Sequence, residues 1–230
     1  MIACYHETLP PLPRNAAAVA VDVLRSMTTA VTAVAAGRRC FPVASLEEAV
    51  QRRELLDDPL LVGELGGMMP YGFDLTNSPA DVAARTDVER PMVLLSTSGT
   101  RLLVELAEEC EAAYLGCLRN HSALARHLAT CDGPVALVAA GTRMEFRTED
   151  QLCSAWLGAE LVKAGFEPAD DGTRSVLESW SAAPADAITA SRSTEYLRET
   201  GQLRDLDYVL SHVDDLSEVF RVRGGEVISE

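Results

Sequence analysis

The sequence predicts an α/β protein, a three-layer α/β/α sandwich built on a largely parallel sheet. Three observations carry that expectation. Short apolar runs alternate with helical stretches along the chain, each pair joined by a polar loop, which is the pattern of strand–crossover–strand units. Several runs are apolar at successive positions, as strands covered on both faces require. Hydrophobic residues make up 47% of the 230 residues, enough to bury a full core and too many for a disordered chain. One domain is expected over 1–230, with a two-lobe arrangement open and a helical C-terminal part from about 171.

The elements follow in order. Residues 16–21 are Val/Ala-rich and read as a doubly buried strand ending at Asp22. Residues 26–36 continue as a helix closed by Gly37. A second strand is expected at 40–44, and Ser45-Leu46-Glu47-Glu48 is a capping-box start for a helix to about Arg53. Residues 59–63 form a third strand; 63–79 is a glycine-rich loop that fits neither period. The buried strand 91–95 leads through Ser96-Thr97-Ser98-Gly99-Thr100 into a helix to about Glu109. A strand at 112–116, a helix at 120–131 and a strand at 134–139 come next. Thr148 is expected to cap a helix to Ala164, with Gln151 in the capping-box position. The pattern from 171 to about 210 is helical, interrupted at Pro184 and Gly201, and 218–222 with 227–228 read as a hairpin around Arg223-Gly224-Gly225. In such sheets ligands bind where loops leave the C-terminal strand ends, so the polar loops are expected to converge on one edge.

Composition excludes several function classes. No apolar run approaches the roughly 20 residues a bilayer span needs, because 16–36 is broken by Asp22, Arg25 and several threonines. Residues 1–9 lack a basic region followed by an apolar stretch, so no secretory signal is read there, and a cytoplasmic protein with no membrane partner is expected. The net charge of −15 and the lack of a basic run argue against nucleic acid as a partner. That charge repels anions at long range, so an anionic substrate would need a local reversal, from a bound divalent cation and a few arginines. Lys163 is the sole lysine, which excludes a P-loop lysine. Cys4, Cys40, Cys110, Cys117, Cys131 and Cys153 contain no C-x-x-C pair and read as reduced core residues rather than zinc or redox sites. His6, His121, His127 and His212 show no metal spacing. A homo-oligomer is left open.

Four segments could carry chemistry. In Asp22-Val23-Leu24-Arg25-Ser26-Met27-Thr28-Thr29, a carboxylate at a strand end can hold a metal, arginine can grip a phosphate bidentately and the hydroxyls suit an anion. The alternative is that Asp22 and Ser26 only cap the helix, with Arg25 on the surface. Glu64 and Asp74, in the glycine-rich loop, are hard oxygen ligands of the kind Mg²⁺ takes; the alternative is a turn with Asn77 or Ser78 capping a helix at Pro79. Ser96-Thr97-Ser98-Gly99-Thr100-Arg101 is either a phosphate cradle or a helix start with Ser98 as cap. The segment 141–150 ends in Glu149-Asp150, which the helix macrodipole alone could explain, and Asn120 is expected to cap a similar turn.

The order of these motifs resembles the ComB-like family of 2-phosphosulfolactate phosphatases. The resemblance rests on Asp22-Val23-Leu24-Arg25, Gly63-Glu64-x-Gly66-Gly67, Gly72-Phe73-Asp74-Leu75-x-Asn77-Ser78-Pro79, Gly99-Thr100, Asn120 and Glu149-Asp150. It spans about 17–162, is strongest in the block from Gly72 to Pro79, and departs from the family pattern at Met27, Thr76 and Ser98. It implies a ComB-like fold and a Mg²⁺-dependent phosphatase that cleaves 2-phosphosulfolactate on the route to coenzyme M. The implied metal and catalytic set is Asp22, Glu64 and Asp74, with Arg25 as a fourth catalytic residue. Arg25, Ser26, Thr28, Asn77, Thr97, Ser98, Gly99, Thr100 and Asn120 are the candidates for binding a small anionic phosphorylated substrate. The alternatives are a non-catalytic anion-binding relative, or a phosphatase for another small acidic ester.

Overall fold

The computed structural model describes residues 1–6, 11–141 and 147–230, with the side chains of these apart from Tyr5 and His6. Along the chain the strands are β1 (Ile2–His6), β2 (Ala17–Val21), β3 (Cys40–Val43), β4 (Leu60–Gly63), β5 (Met92–Leu95), β6 (Ala112–Gly116), β7 (Val135–Ala139), β8 (Phe220–Arg223) and β9 (Glu226–Ser229). They form one mostly parallel, nine-stranded sheet in the order β1-β7-β2-β6-β8-β9-β3-β5-β4. β1, β7, β2 and β6 are mutually parallel, and so are β3, β5 and β4. The β8–β9 hairpin joins these half-sheets through antiparallel steps on both sides.

Those antiparallel steps make the half-sheets run in opposite directions. In a flat sheet their C-terminal edges would face opposite ways. A twist of roughly 20–25° per strand pair accumulates to about 130° over the six steps from β2 to β4, which turns the two edges toward one another. Helix α1 (Ser26–Ala35) packs against β3, β5 and β6, and α4 (Gly99–Glu109) against β2, β3 and β6, so both share one core on the same face of the sheet.

The burial pattern follows the strand period of two. Ala18 and Ala20 of β2 join the core around α1 and α4. Ala17, Val19 and Val21 face the opposite core, built with α5 (His121–Leu128), α6 (Thr148–Lys163) and the C-terminal helices. A third cluster of Val43, Leu61, Val93 and Leu95 is covered by Ala49 of α2 (Leu46–Glu54) and by Phe73. Both faces of β2 are therefore dry, and its sequence is apolar throughout.

The C-terminal helices α7 (Asp171–Trp180), α8 (Arg192–Glu199) and α9 (Leu203–Ser211) break around Pro184 and Gly201, as their breakers predict; a 3-10 helix (Ala185–Ala190) lies between the first two. Three details differ from expectation. β1 has no clear period in the sequence and exists because β7 offers it an edge. Thr148 is the first residue of α6 and not its cap, since Arg147 takes that position without a side-chain capping bond. The capping box of α2 forms, but Glu48 Oε2 accepts from the Ala44 N–H. Among the described residues no helix is long and apolar enough to cross a membrane.

Candidate active site

The loops leaving β2, β4, β5 and β7 meet at one cavity of about 640 Å³, closed on its far side by the starts of α6 and α8. Asp22 follows β2, and its position is fixed by the turn into α1. Its Oδ1 accepts from the Ser26 N–H at 3.2 Å and its Oδ2 from the Ser26 hydroxyl at 2.5 Å. The side chain also lies against the start of α4, where a Cβ on Gly99 would stand 2.1 Å from Asp22 Oδ2. Burial pushes the Asp22 carboxyl up to about 6; the Ser26 bonds oppose this, and Glu64 and Glu149 add to it.

Glu64 crosslinks two loops. Its Oε1 accepts from the Thr97 N–H at 2.7 Å, and its Oε2 from the Gly67 N–H at 2.7 Å and the Thr97 hydroxyl at 2.8 Å. Tyr196 of α8 pins the same loop by donating to the Gly67 carbonyl at 2.5 Å. Asp150 lines the cavity from the first turn of α6. Its Oδ1 accepts from the Val23 N–H at 2.8 Å, and burial first, then Asp22 and Glu149, holds it well above the usual carboxylate range. Glu149 is raised by burial as well, with the nearby Ser193 and Ser191 hydroxyls and Arg147 opposing the shift.

Three arginines line the same cavity: Arg25, Arg147 and Arg192. Arg25 is 5% exposed. It donates from Nη1 to Asp205 at 2.6 Å and to Gln202, and from Nη2 to Asn77 at 2.8 Å. The surface alternative for Arg25 is thereby removed. The Leu24–Arg25 peptide is cis.

Of the residues named from the sequence, Asp22, Arg25, Glu64, Asn77, Thr97 and Ser98 line this cavity. Gly99 and Ser26 touch Asp22 from behind. Thr28, Thr100, Asn120 and Asp74 do not line it. Thr28 donates to the Val23 carbonyl, Thr100 and Ser96 exchange two bonds, and Asn120 staples its own turn between Cys117 N–H and the Leu115 carbonyl. Asp74 accepts from the Leu61 N–H at 2.8 Å, alongside β4 and not at its C-terminal end. Ser78 caps the short helix α3 (Pro79–Ala83), and Ser98 makes no capping bond. The expectation for 141–150 falls partly on residues 142–146, outside the described residues.

The sequence alone did not point to Arg147, Arg192, Ser193 or Tyr196, which also line the cavity, and for at least one of Glu149 and Asp150 the helix dipole was explanation enough. One signal was available: an arginine at the first position of α8, after its Ser191 cap, opposes the macrodipole. Among the described residues no group of three or more His, Cys, Asp or Glu closes around one point as a metal cage would. The donor set instead suits a cation with few protein ligands, because Asp22 and Glu64 Oε1 keep spare lone pairs beyond the hydrogen bonds just described.

A family model described as 2-phosphosulpholactate phosphatase matches residues 5–224. A Deinococcus radiodurans protein named "Probable 2-phosphosulfolactate phosphatase" is 34% identical over 195 residues, covering 83% of this chain and 81% of its own. A Carboxydothermus hydrogenoformans protein with the same name is 32% identical over 194 residues, covering 84% and 80%. Another, from Caldanaerobacter subterraneus, is 28% identical over 215 residues and covers 91% and 88%.

Proposed function

The chain belongs to the 2-phosphosulfolactate phosphatase family and is a phosphoric monoester hydrolase; from that premise we propose that it hydrolyses 2-phosphosulfolactate, or a similar small phosphorylated hydroxy acid, with Mg²⁺ as its cofactor. The observation that carries this reading is the lining of one cavity by three carboxylates and three arginines, in a protein whose net charge is −15. The arginines reverse a repulsive field locally, and the acids supply hard oxygen ligands.

Asp22 and Glu64 would hold the cation, which when bound neutralises charge on the phosphate oxygens. Arg25 grips the phosphoryl group, and Arg147 and Arg192 face the remaining acid groups of the substrate. Water attacks phosphorus as the ester P–O bond breaks; the departing alkoxide takes a proton from the protein, and the attacking water loses one to solvent, from which the donor is reprotonated. Asp150 is the donor: its Oδ1 is committed to the Val23 N–H, which leaves Oδ2 to carry the proton, and burial beside Asp22 and Glu149 favours its protonated form. Asp74 is assigned to the loop beside β4. The six free thiols support a reducing, cytoplasmic setting.

The test is phosphate release from a panel of phosphorylated hydroxy acids, before and after exhaustive chelation. Release is expected to be fastest from 2-phosphosulfolactate, abolished by chelation and restored by Mg²⁺. Full activity after chelation would overturn the metal assignment, and no release from any ester would overturn the substrate class.

A further inference from the structure

We infer that Asp205, on α9, is a positioning residue that aims Arg25 at the bound phosphoryl group, so that the C-terminal helical segment is an integral part of the site. The inference rests on the phosphatase reading above and deepens it. Asp205 is 180 residues from Arg25 in sequence and wholly buried. Its Oδ2 accepts from Arg25 Nη1 at 2.6 Å. Its Oδ1 accepts from the Ser78 hydroxyl and, at 3.4 Å, from the Ala80 N–H, so the carboxylate is itself clamped by the turn that starts α3.

The donor count shows what the clamp achieves. A guanidinium has five N–H donors in a fixed fork. Gln202 and Asp205 take both on Nη1, and Asn77 takes one on Nη2. The donors uncommitted among the described residues are the Nε–H and one Nη2–H. The Nε–H and the Nη2 proton on its side form one edge of the fork, an edge at which arginine makes bidentate contacts to phosphate. Arg25 is also part of the cavity wall. The network thus fills Nη1 and leaves the Nε–H and one Nη2–H for the ligand.

Stability alone is a poor reason for this arrangement. A buried ion pair contributes little net stability, and an apolar pair of similar volume often does as well. Asn77 and Gln202 are neutral, so Asp205 is the one ionised acceptor on Arg25 among the described residues. Orientation of a group that must meet an anion accounts for keeping the pair.

The experiment is a double-mutant cycle with Arg25→Lys, Asp205→Asn and the double variant. It uses the phosphate ester the wild type turns over fastest, with competitive inhibition by inorganic phosphate as a second readout. Asp205→Asn is expected to lower kcat/KM by about tenfold or more, since roughly 1.4 kcal/mol is one decade, and to raise the phosphate inhibition constant. In the Arg25→Lys background the same change is expected to add less than about threefold, because the fork it aims is gone. Losses that multiply in the double variant, or a drop in melting temperature with kcat/KM and phosphate inhibition unchanged, would overturn the inference and make Asp205 purely structural. If Asp205→Asn does not fold, Gln202→Ala, at a half-buried partner of the same Nη1, is expected to lower kcat/KM several-fold and to lose that effect beside Arg25→Lys. Unchanged kinetics for Gln202→Ala would then count against the inference. Full activity in Arg25→Lys itself would instead sink the role proposed for Arg25, so the two failures are distinguishable.

Discussion

At the scale of single residues, the decisive feature is how little room surrounds Asp22. Gly99 is the first residue of α4, and inside a helix alanine is ordinarily more stabilising than glycine by about 1 kcal/mol. Here the added Cβ would lie 2.0 Å from Ser26 Oγ and 2.1 Å from Asp22 Oδ2, closer than non-bonded atoms can approach. Gly99→Ala is therefore expected to displace the Asp22 carboxylate, reducing kcat/KM by tenfold or more and lowering the melting temperature. Phosphate-release assays beside thermal melts check this. A variant that melts higher and keeps its activity would show that Asp22 has space and does not hold the metal where proposed.

At the scale of elements, the C-terminal hairpin does the work of a hinge pin. β8 meets β6 and β9 meets β3, each through a short antiparallel contact. Phe220, at the start of β8, is fully buried in the core shared with α1 and α4. Phe220→Ala is expected to destabilise the fold by about 3–5 kcal/mol, the usual range for emptying a buried aromatic site. Phe220 does not line the cavity, so kcat/KM well below the transition should stay near the wild-type value. Denaturant unfolding with parallel kinetics separates the two effects. A loss of activity in the folded variant would mean that the hairpin sets the site's geometry as well as its stability.

At the scale of the whole molecule, the buried acids govern how stability depends on pH. Asp22, Glu149 and Asp150 all have raised folded-state values, mainly from burial. The native state then binds more protons than the unfolded chain, so stability falls as pH rises from the ordinary carboxylate value of about 4 through the Asp22 value of about 6. Asp87 and Asp170 are lowered, Asp87 chiefly by its bond from Arg85 and Asp170 by that from Thr173; their contribution is present above about pH 4 and lost below it. The chelated protein is therefore expected to be most stable near pH 4–5, with the net charge of −15 adding self-repulsion at neutral pH. Mg²⁺ should shift that maximum toward neutral, raising stability by about 2.7 kcal/mol at a hundredfold excess over Kd. Asp22→Asn should flatten the decline between about pH 4 and 6 in the chelated protein and weaken the Mg²⁺ effect. Unfolding free energies across pH, with and without Mg²⁺, test this; a chelated wild type that gains stability steadily from pH 5 to 8 would sink it.

The sequence by itself determined nearly every element of this protein and the chemistry of its loops. Apolar runs, capping residues such as Ser45 and Ser78, and breakers such as Gly37, Pro184 and Gly201 act over a few residues, so their consequences are readable locally. The same locality made Asp22, Glu64, Thr97 and Ser98 recognisable as loop residues at C-terminal strand ends. β1 escaped because an edge strand is defined by the partner it finds. Tertiary structure alone decided which polar residues meet. Asp74 and Asn120 carry suitable chemistry yet spend it on their own turns, whereas Asp150, Arg147, Arg192 and Asp205 reach the site or its arginine from α8, α9 and the start of α6. Those meetings depend on sheet order, accumulated twist and a C-terminal hairpin that reverses half the sheet. Each joins positions dozens to nearly two hundred residues apart, and no local period or cap encodes such a pairing.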